Sequence, residues 1–182
     1  RLARVLGAHG LGLRRERTEL AGWESGQDHV ALYSYNRPEY MEAMLGCYKA
    51  RAVPFNVNYR YVDAELIYLL RDARARGIVY EAGFAATLQR IRDHLPELKL
   101  LIQLPDGSGQ PLLPGALDYE TALAQVDEAR PLPRPSPDDL YVLYTGGTTG
   151  MPKGVLWRQA DIFVASLAGR RGAGEGESLE AK

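Results

Sequence analysis

A continuous apolar run, Val30–Ser34, and three further short candidate strands, Val53–Val57, Ile78–Tyr80 and Leu98–Leu104, alternate with stretches of helical periodicity, and this alternation limits the fold more than any other feature. A run without polar interruption marks a strand buried on both faces, since a strand with one wet face alternates polar and apolar residues. Strand, helix, strand, helix at this pace predicts an α/β fold, a doubly wound, mostly parallel sheet with flanking helices. Asn36-Arg37-Pro38-Glu39 opens the first connecting helix, with proline in its first turn and an acid beside the positive end of its dipole. Tyr40, Met41, Met44, Leu45 and Tyr48 are expected to form its core face. The next helix runs through Leu66, Ile67, Leu69 and Leu70 and ends near Gly77, and a third spans Phe84 to His94.

Around this frame the chain divides by composition. Residues 1–130 are expected to form an α/β subdomain, cut into at its start because Leu2, Val5 and Leu6 already show helical spacing from Arg1. Gly10 and Gly12 close that helix, and Leu13 to Gly26 is a charged, irregular connection. Pro105 to Gly115 is a surface excursion, followed by a short helix from Tyr119 to Val126. Pro131, Pro133, Pro135 and Pro137 recur at every second residue, which stiffens residues 131–137 into an extended linker. Residues 138–168 then hold a strand, Leu140 to Tyr144, a glycine-rich loop, a returning antiparallel strand at Val155 to Trp157, and a helix from Ala160 to Leu167. Residues 169–182 are glycine-rich and charged and are expected to be a flexible tail.

A net charge of -1 and a pI near 6.4 give no electrostatic reason to expect nucleic acid as a partner. Cys47 is the single cysteine, so an intrachain disulfide is excluded; a reducing compartment, the cytoplasm, is the expected location. No apolar run approaches the ~20 residues of a membrane span. His9, His29 and His94 are scattered, so no metal site is expected, and no serine sits in a Gly-x-Ser-x-Gly elbow.

The chemistry concentrates in Tyr144-Thr145-Gly146-Gly147-Thr148-Thr149-Gly150-Met151-Pro152-Lys153-Gly154-Val155. Glycines let a backbone approach a ligand and turn its amides toward it, and hydroxyls with one ammonium add donors aimed at negative charge. Polyphosphate is the ligand such a stretch suits. A Walker loop would place Gly-Lys-Ser/Thr at a helix start, but here Met151-Pro152 separates Gly150 from Lys153 and glycine follows the lysine. A kinase-like or GTPase-like phosphate loop is disfavoured by that spacing. The stretch resembles the signature of the adenylate-forming, AMP-binding superfamily, Thr-Ser-Gly-Thr-Thr-Gly-x-Pro-Lys-Gly, with Gly146 in place of the commoner serine. Val155-Leu156-Trp157-Arg158-Gln159 resembles the fatty-acyl and sterol-type acyl-CoA synthetase branch, and so does Asn56-Val57-Asn58-Tyr59-Arg60-Tyr61 ahead of the loop.

The resemblance implies an incomplete N-terminal part of the adenylate-forming large domain, ending just after the signature loop. It implies ATP, Mg2+ and coenzyme A as cofactor and co-substrates, and a carboxylic, fatty-type acid that becomes an acyl-adenylate and then a thioester. Lys153 would stabilise phosphate charge, and Thr145, Gly146, Gly147, Thr148, Thr149 and Gly150 would hold phosphate oxygens. Adenine, ribose and magnesium contacts and the C-terminal adenylation lysine would be supplied beyond Lys182, so the isolated chain is expected to be inactive. The alternative is a non-catalytic nucleotide-binding or regulatory module that uses the loop alone.

Overall fold

The computed structural model describes residues 1–145 and 151–166; the expected tail over residues 169–182, and Leu167 at the end of the expected last helix, lie outside these. Seven strands form one sheet: β1 (His29–Tyr33), β2 (Val53–Asn56), β3 (Ala75–Glu81), β4 (Leu100–Leu104), β5 (Leu117–Asp118), β6 (Leu140–Thr145) and β7 (Lys153–Arg158). Their order is β5-β4-β3-β1-β2-β6-β7, with every neighbouring pair parallel except β6 and β7. The doubly wound α/β architecture follows from the alternation described above. The α-helices among the described residues are α1 (Leu2–Ala8), α2 (Pro38–Lys49), α3 (Asp63–Asp72), α4 (Ala85–Ile91), α5 (Tyr119–Ala124) and α6 (Gln159–Ser166).

Successive strand residues point to opposite faces, so the apolar residues of the strands feed two cores. Val30, Leu32, Val79, Leu100 and Ile102 pack with α1, α2 and α5 on one face. Ala31, Tyr33, Phe55, Tyr80 and Leu101 pack with α3 and α4 on the other. Because β1 leads to α2 and β3 leads to α4, the connections leave neighbouring strand ends toward opposite faces, which opens a crevice at the carboxyl edge of the sheet.

The structure corrects several boundaries. Helix α3 ends at Asp72 rather than near Gly77; Arg74 takes a left-handed φ of 48° and β3 starts at Ala75. The segment expected as one helix to His94 is α4 flanked by tight turns over Ala82–Phe84 and Arg92–His94. Strand β5 was not foreseen, since two residues carry no periodicity. Helix α2 also faces the core differently. Ala43, Gly46 and Cys47 are its buried residues, while Met41 and Leu45 are half exposed. The cause is α1, which lies so close that a Cβ on Gly46 would stand 2.9 Å from the Leu2 side chain. Small residues must therefore face inward at this crossing.

The connection before β1 is irregular but organised. The Arg17 guanidinium donates to the carbonyls of Ala21, Gly22 and Glu24. Beyond the prolines, β6 rejoins the same sheet beside β2, so the segments on either side of residues 131–137 share one sheet.

Candidate functional site

Strand β6 runs parallel to β2, so Thr145 emerges at the carboxyl edge, the end at which open α/β sheets receive ligands. The chain returns through β7 in antiparallel register, which sets Tyr144 opposite Gly154 and Thr145 opposite Lys153. Directly opposed residues share a face of the sheet. Thr145 and Lys153 are therefore neighbours on one face, both exposed, at the two ends of residues 146–152. Lys153 opens a strand; a Walker lysine would open a helix. Of the residues singled out in the sequence, Gly146, Gly147, Thr148, Thr149 and Gly150 lie outside the described residues.

The opposite face of the same rungs is occupied differently. The Tyr144 ring lies over Gly154, where an added Cβ would stand 2.9 Å from Tyr144 Cζ, and 5.8 Å from the ring of buried Phe55. Its hydroxyl donates to Asp72 Oδ2 at 2.7 Å, reaching the last residue of α3. Burial, reinforced by that carboxylate, raises the Tyr144 pKa well above the usual phenol value. At the foot of β6 the Leu140 amide donates to Gln27 Oε1 at 2.8 Å, and Gln27 Nε2 donates to the Arg51 carbonyl at 2.9 Å. The Arg51 guanidinium in turn holds Asp139 and Glu16.

Two hollows flank the hairpin. One, of about 290 Å3, lies beyond the ends of β1 and β2 and is lined by Ser34, Asn36, Asn56, Asn58, Tyr59 and Tyr144. Its polar groups are neutral amides and hydroxyls, with no cation among the lining residues to offset phosphate charge. Arg60, beside it, lies over the Tyr59 ring at 5.6 Å. The other, of about 590 Å3, lies under Tyr144 and Gly154 and is edged by Arg15, Arg74, Asp72 and Glu97, a mixture of both charges. Neither is lined by Thr145 or Lys153.

At the crevice between β1 and β3, Glu81 accepts the Tyr35 amide at 2.6 Å and stands 4.0 Å from Arg37. Arg37 also pairs with Glu39, whose pKa its hydrogen bonds lower to about 2. Sequence reasoning missed Glu81, Asp72 and Tyr144. Glu81 ends an apolar run and could have been found as a charge at a strand terminus; Asp72 and Tyr144 lie 72 positions apart, and nothing local links them. Among the described residues, no three His, Cys, Asp or Glu side chains converge as a metal site would require. No helix among them is long and apolar enough to cross a membrane.

The sequence profile of the AMP-binding enzymes matches residues 20–178. The chain is 58% identical over 170 residues to the medium-chain acyl-CoA ligase Mig of Mycobacterium avium, covering 93% of this chain and 31% of that protein. It is 40% identical over 143 residues to the 3-oxocholest-4-en-26-oate–CoA ligase of Rhodococcus rhodochrous, covering 78% of this chain and 26% of the other. The fold superposes with a TM-score of 0.74 on the anthranilate CoA ligase AuaEII in complex with anthranoyl-AMP, at 22% identity, over 90% of this chain and 29% of that structure. The chain thus spans about a third or less of the length of each.

Proposed function

The chain belongs to the AMP-binding enzyme family, and from that membership we propose that it is the phosphate-gripping part of an acyl-CoA ligase acting on a medium-chain fatty acid. The proposed reaction has two steps. The acid's carboxylate attacks the α-phosphorus of ATP, forming acyl-adenylate and expelling pyrophosphate; the thiol of coenzyme A then attacks the acyl carbon and expels AMP, leaving the thioester. The observation that carries this reading is the hairpin that sets Thr145 against Lys153 at the carboxyl edge of the sheet. Charge accumulates on the β- and γ-phosphates as pyrophosphate departs, so donors placed there stabilise the transition state more than the bound substrate. Lys153 supplies a point charge and Thr145 a hydroxyl. Gly146, Gly147, Thr148, Thr149 and Gly150 are proposed to complete the grip with amides and hydroxyls.

Magnesium, when bound, would neutralise the same phosphates; the hydroxyl of Thr145 is the one described oxygen donor at the loop, and no acidic cluster accompanies it among the described residues. The preference for a medium-chain acid rests on the 58% identical relative, against 40% for the ligase named for a sterol acid. A cytoplasmic setting suits Cys47, fully buried and held as a thiol by the burial that raises its pKa. The test is ATP–pyrophosphate exchange with a medium-chain fatty acid, run on the 182-residue chain and on the same chain carried within a protein of its relatives' length. Background exchange is expected from the first and acid-dependent exchange from the second, falling roughly 100-fold or more with Lys153→Ala. An unchanged rate with Lys153→Ala would remove that residue from the mechanism. Exchange by the short chain would show that the active site ends sooner than proposed.

A further inference from the structure

We infer that Tyr144 and Asp72 are positioning residues, joined by a hydrogen bond that runs from the hairpin to the end of α3 and keeps Thr145 and Lys153 in place at the carboxyl edge. The inference rests on the reading that these two residues hold phosphate. The hairpin needs such a tie because the sheet holds it lightly. Strand β6 meets β2 at a single Cα pair, Phe55 with Val142. Neither β7 nor α6 has a fully buried residue, and β7 meets the core through Leu156, which stays partly exposed. The foot of β6 is anchored through Gln27 and Asp139, but that anchor lies at the end away from the loop.

At the loop end the tie is Tyr144. Its ring packs over Gly154, where no Cβ stands in the way, and beside Phe55, and from there its hydroxyl reaches Asp72. Tyr144 adjoins Thr145 in the chain, and its rung partner Gly154 adjoins Lys153, so one bond restrains both ends of the loop. Asp72 is poorly placed for its own helix. A carboxylate on the last turn opposes the helix dipole, a cost of about 0.3–1 kcal/mol at an exposed site, so its position makes sense through what it binds. The raised pKa of the phenol keeps Tyr144 protonated and donating across the neutral range.

The experiment follows the backbone amide signals of Thr145 and Lys153 while MgATP is titrated into the isotope-labelled 182-residue chain and its variants. The unaltered chain is expected to show saturable shifts. Tyr144→Phe and Asp72→Ala should each weaken ATP about tenfold, the scale of one hydrogen bond to a charged group. The double variant should lose no more than either single one, and Asp72→Asn, which keeps an acceptor oxygen, should recover most of the loss. A purely structural bond would lower the Tm of Tyr144→Phe and leave ATP affinity unchanged, and equal affinities would overturn the positioning role alone. Additive losses would overturn the shared bond. Where the short chain gives no saturable shifts the titration is made on the chain carried within a protein of its relatives' length, and no saturable shifts there would overturn the phosphate reading and the positioning role with it.

Discussion

Replacing Asp139 by alanine tests the anchor at the foot of β6. Arg51 lies in the turn between α2 and β2 with a left-handed φ of 54°, and it is only 8% exposed. Its guanidinium reaches Asp139 at 2.9–3.1 Å and Glu16 at 2.8 Å. The Asp139 side chain is 2% exposed and also accepts the Ser136 amide at 3.0 Å. Removing it strands half of a buried guanidinium and one backbone donor. Breaking a buried pair from one side costs about 3–5 kcal/mol. Because Glu16 stays in place on the solvent side, the lower end applies, about 3 kcal/mol, a large share of a typical domain's stability. Urea unfolding followed by circular dichroism measures it, with the m-value expected to stay constant. Asp139→Asn should lose roughly half as much, since the amide keeps an acceptor. A loss below about 1 kcal/mol for Asp139→Ala would refute the claim that this cluster, rather than the ladder, holds the start of β6.

Two further outcomes concern stability. Gly26→Ala should destabilise by about 2 kcal/mol or more, because the new Cβ would collide with the Arg15 carbonyl while Gly26 accepts the Arg14 and Arg15 amides; thermal melting of the variant checks this, and an unchanged Tm would contradict it. Burial depresses the pKa of His29 from the usual 6.5 to about 4. The unfolded chain therefore binds a proton between these values that the folded chain does not, so this contribution is complete above pH 6.5 and is lost as pH falls toward 4. By pH 4 the loss should reach about 3 kcal/mol, and the difference in unfolding free energy between the chain and His29→Gln should shrink by that amount between pH 7 and pH 4. A constant difference would show that His29 titrates normally.

What the sequence disclosed, and what it hid, follows from how far each signal reaches along the chain. Val30–Ser34 was legible as a strand because burial on both faces leaves a local, uninterrupted apolar pattern. The return of the chain at Val155–Trp157 was legible from two apolar runs around a glycine-rich turn, and β7 extends it by Lys153, Gly154 and Arg158. Met41 and Leu45 misled because their spacing fits a core face, whereas the inward side of α2 is set by Leu2, some forty residues earlier. Within the candidate site, the pairing of Thr145 with Lys153 follows from hairpin register, which a sequence suggests but does not fix. The Tyr144–Asp72 and Arg51–Asp139 contacts join distant positions, so only the folded chain reveals them.

Thr145 and Lys153 face each other as the last rung before the chain leaves the sheet, so the chain leaves and rejoins it at one rung with seven residues, 146 to 152, between. One more residue between two such fixed ends costs about 0.1 kcal/mol of closure entropy, far less than any anchor described above. Folding is thus nearly indifferent to one residue more or fewer at this point. The register of the hairpin therefore sets no tight limit on the number of residues between Thr145 and Lys153.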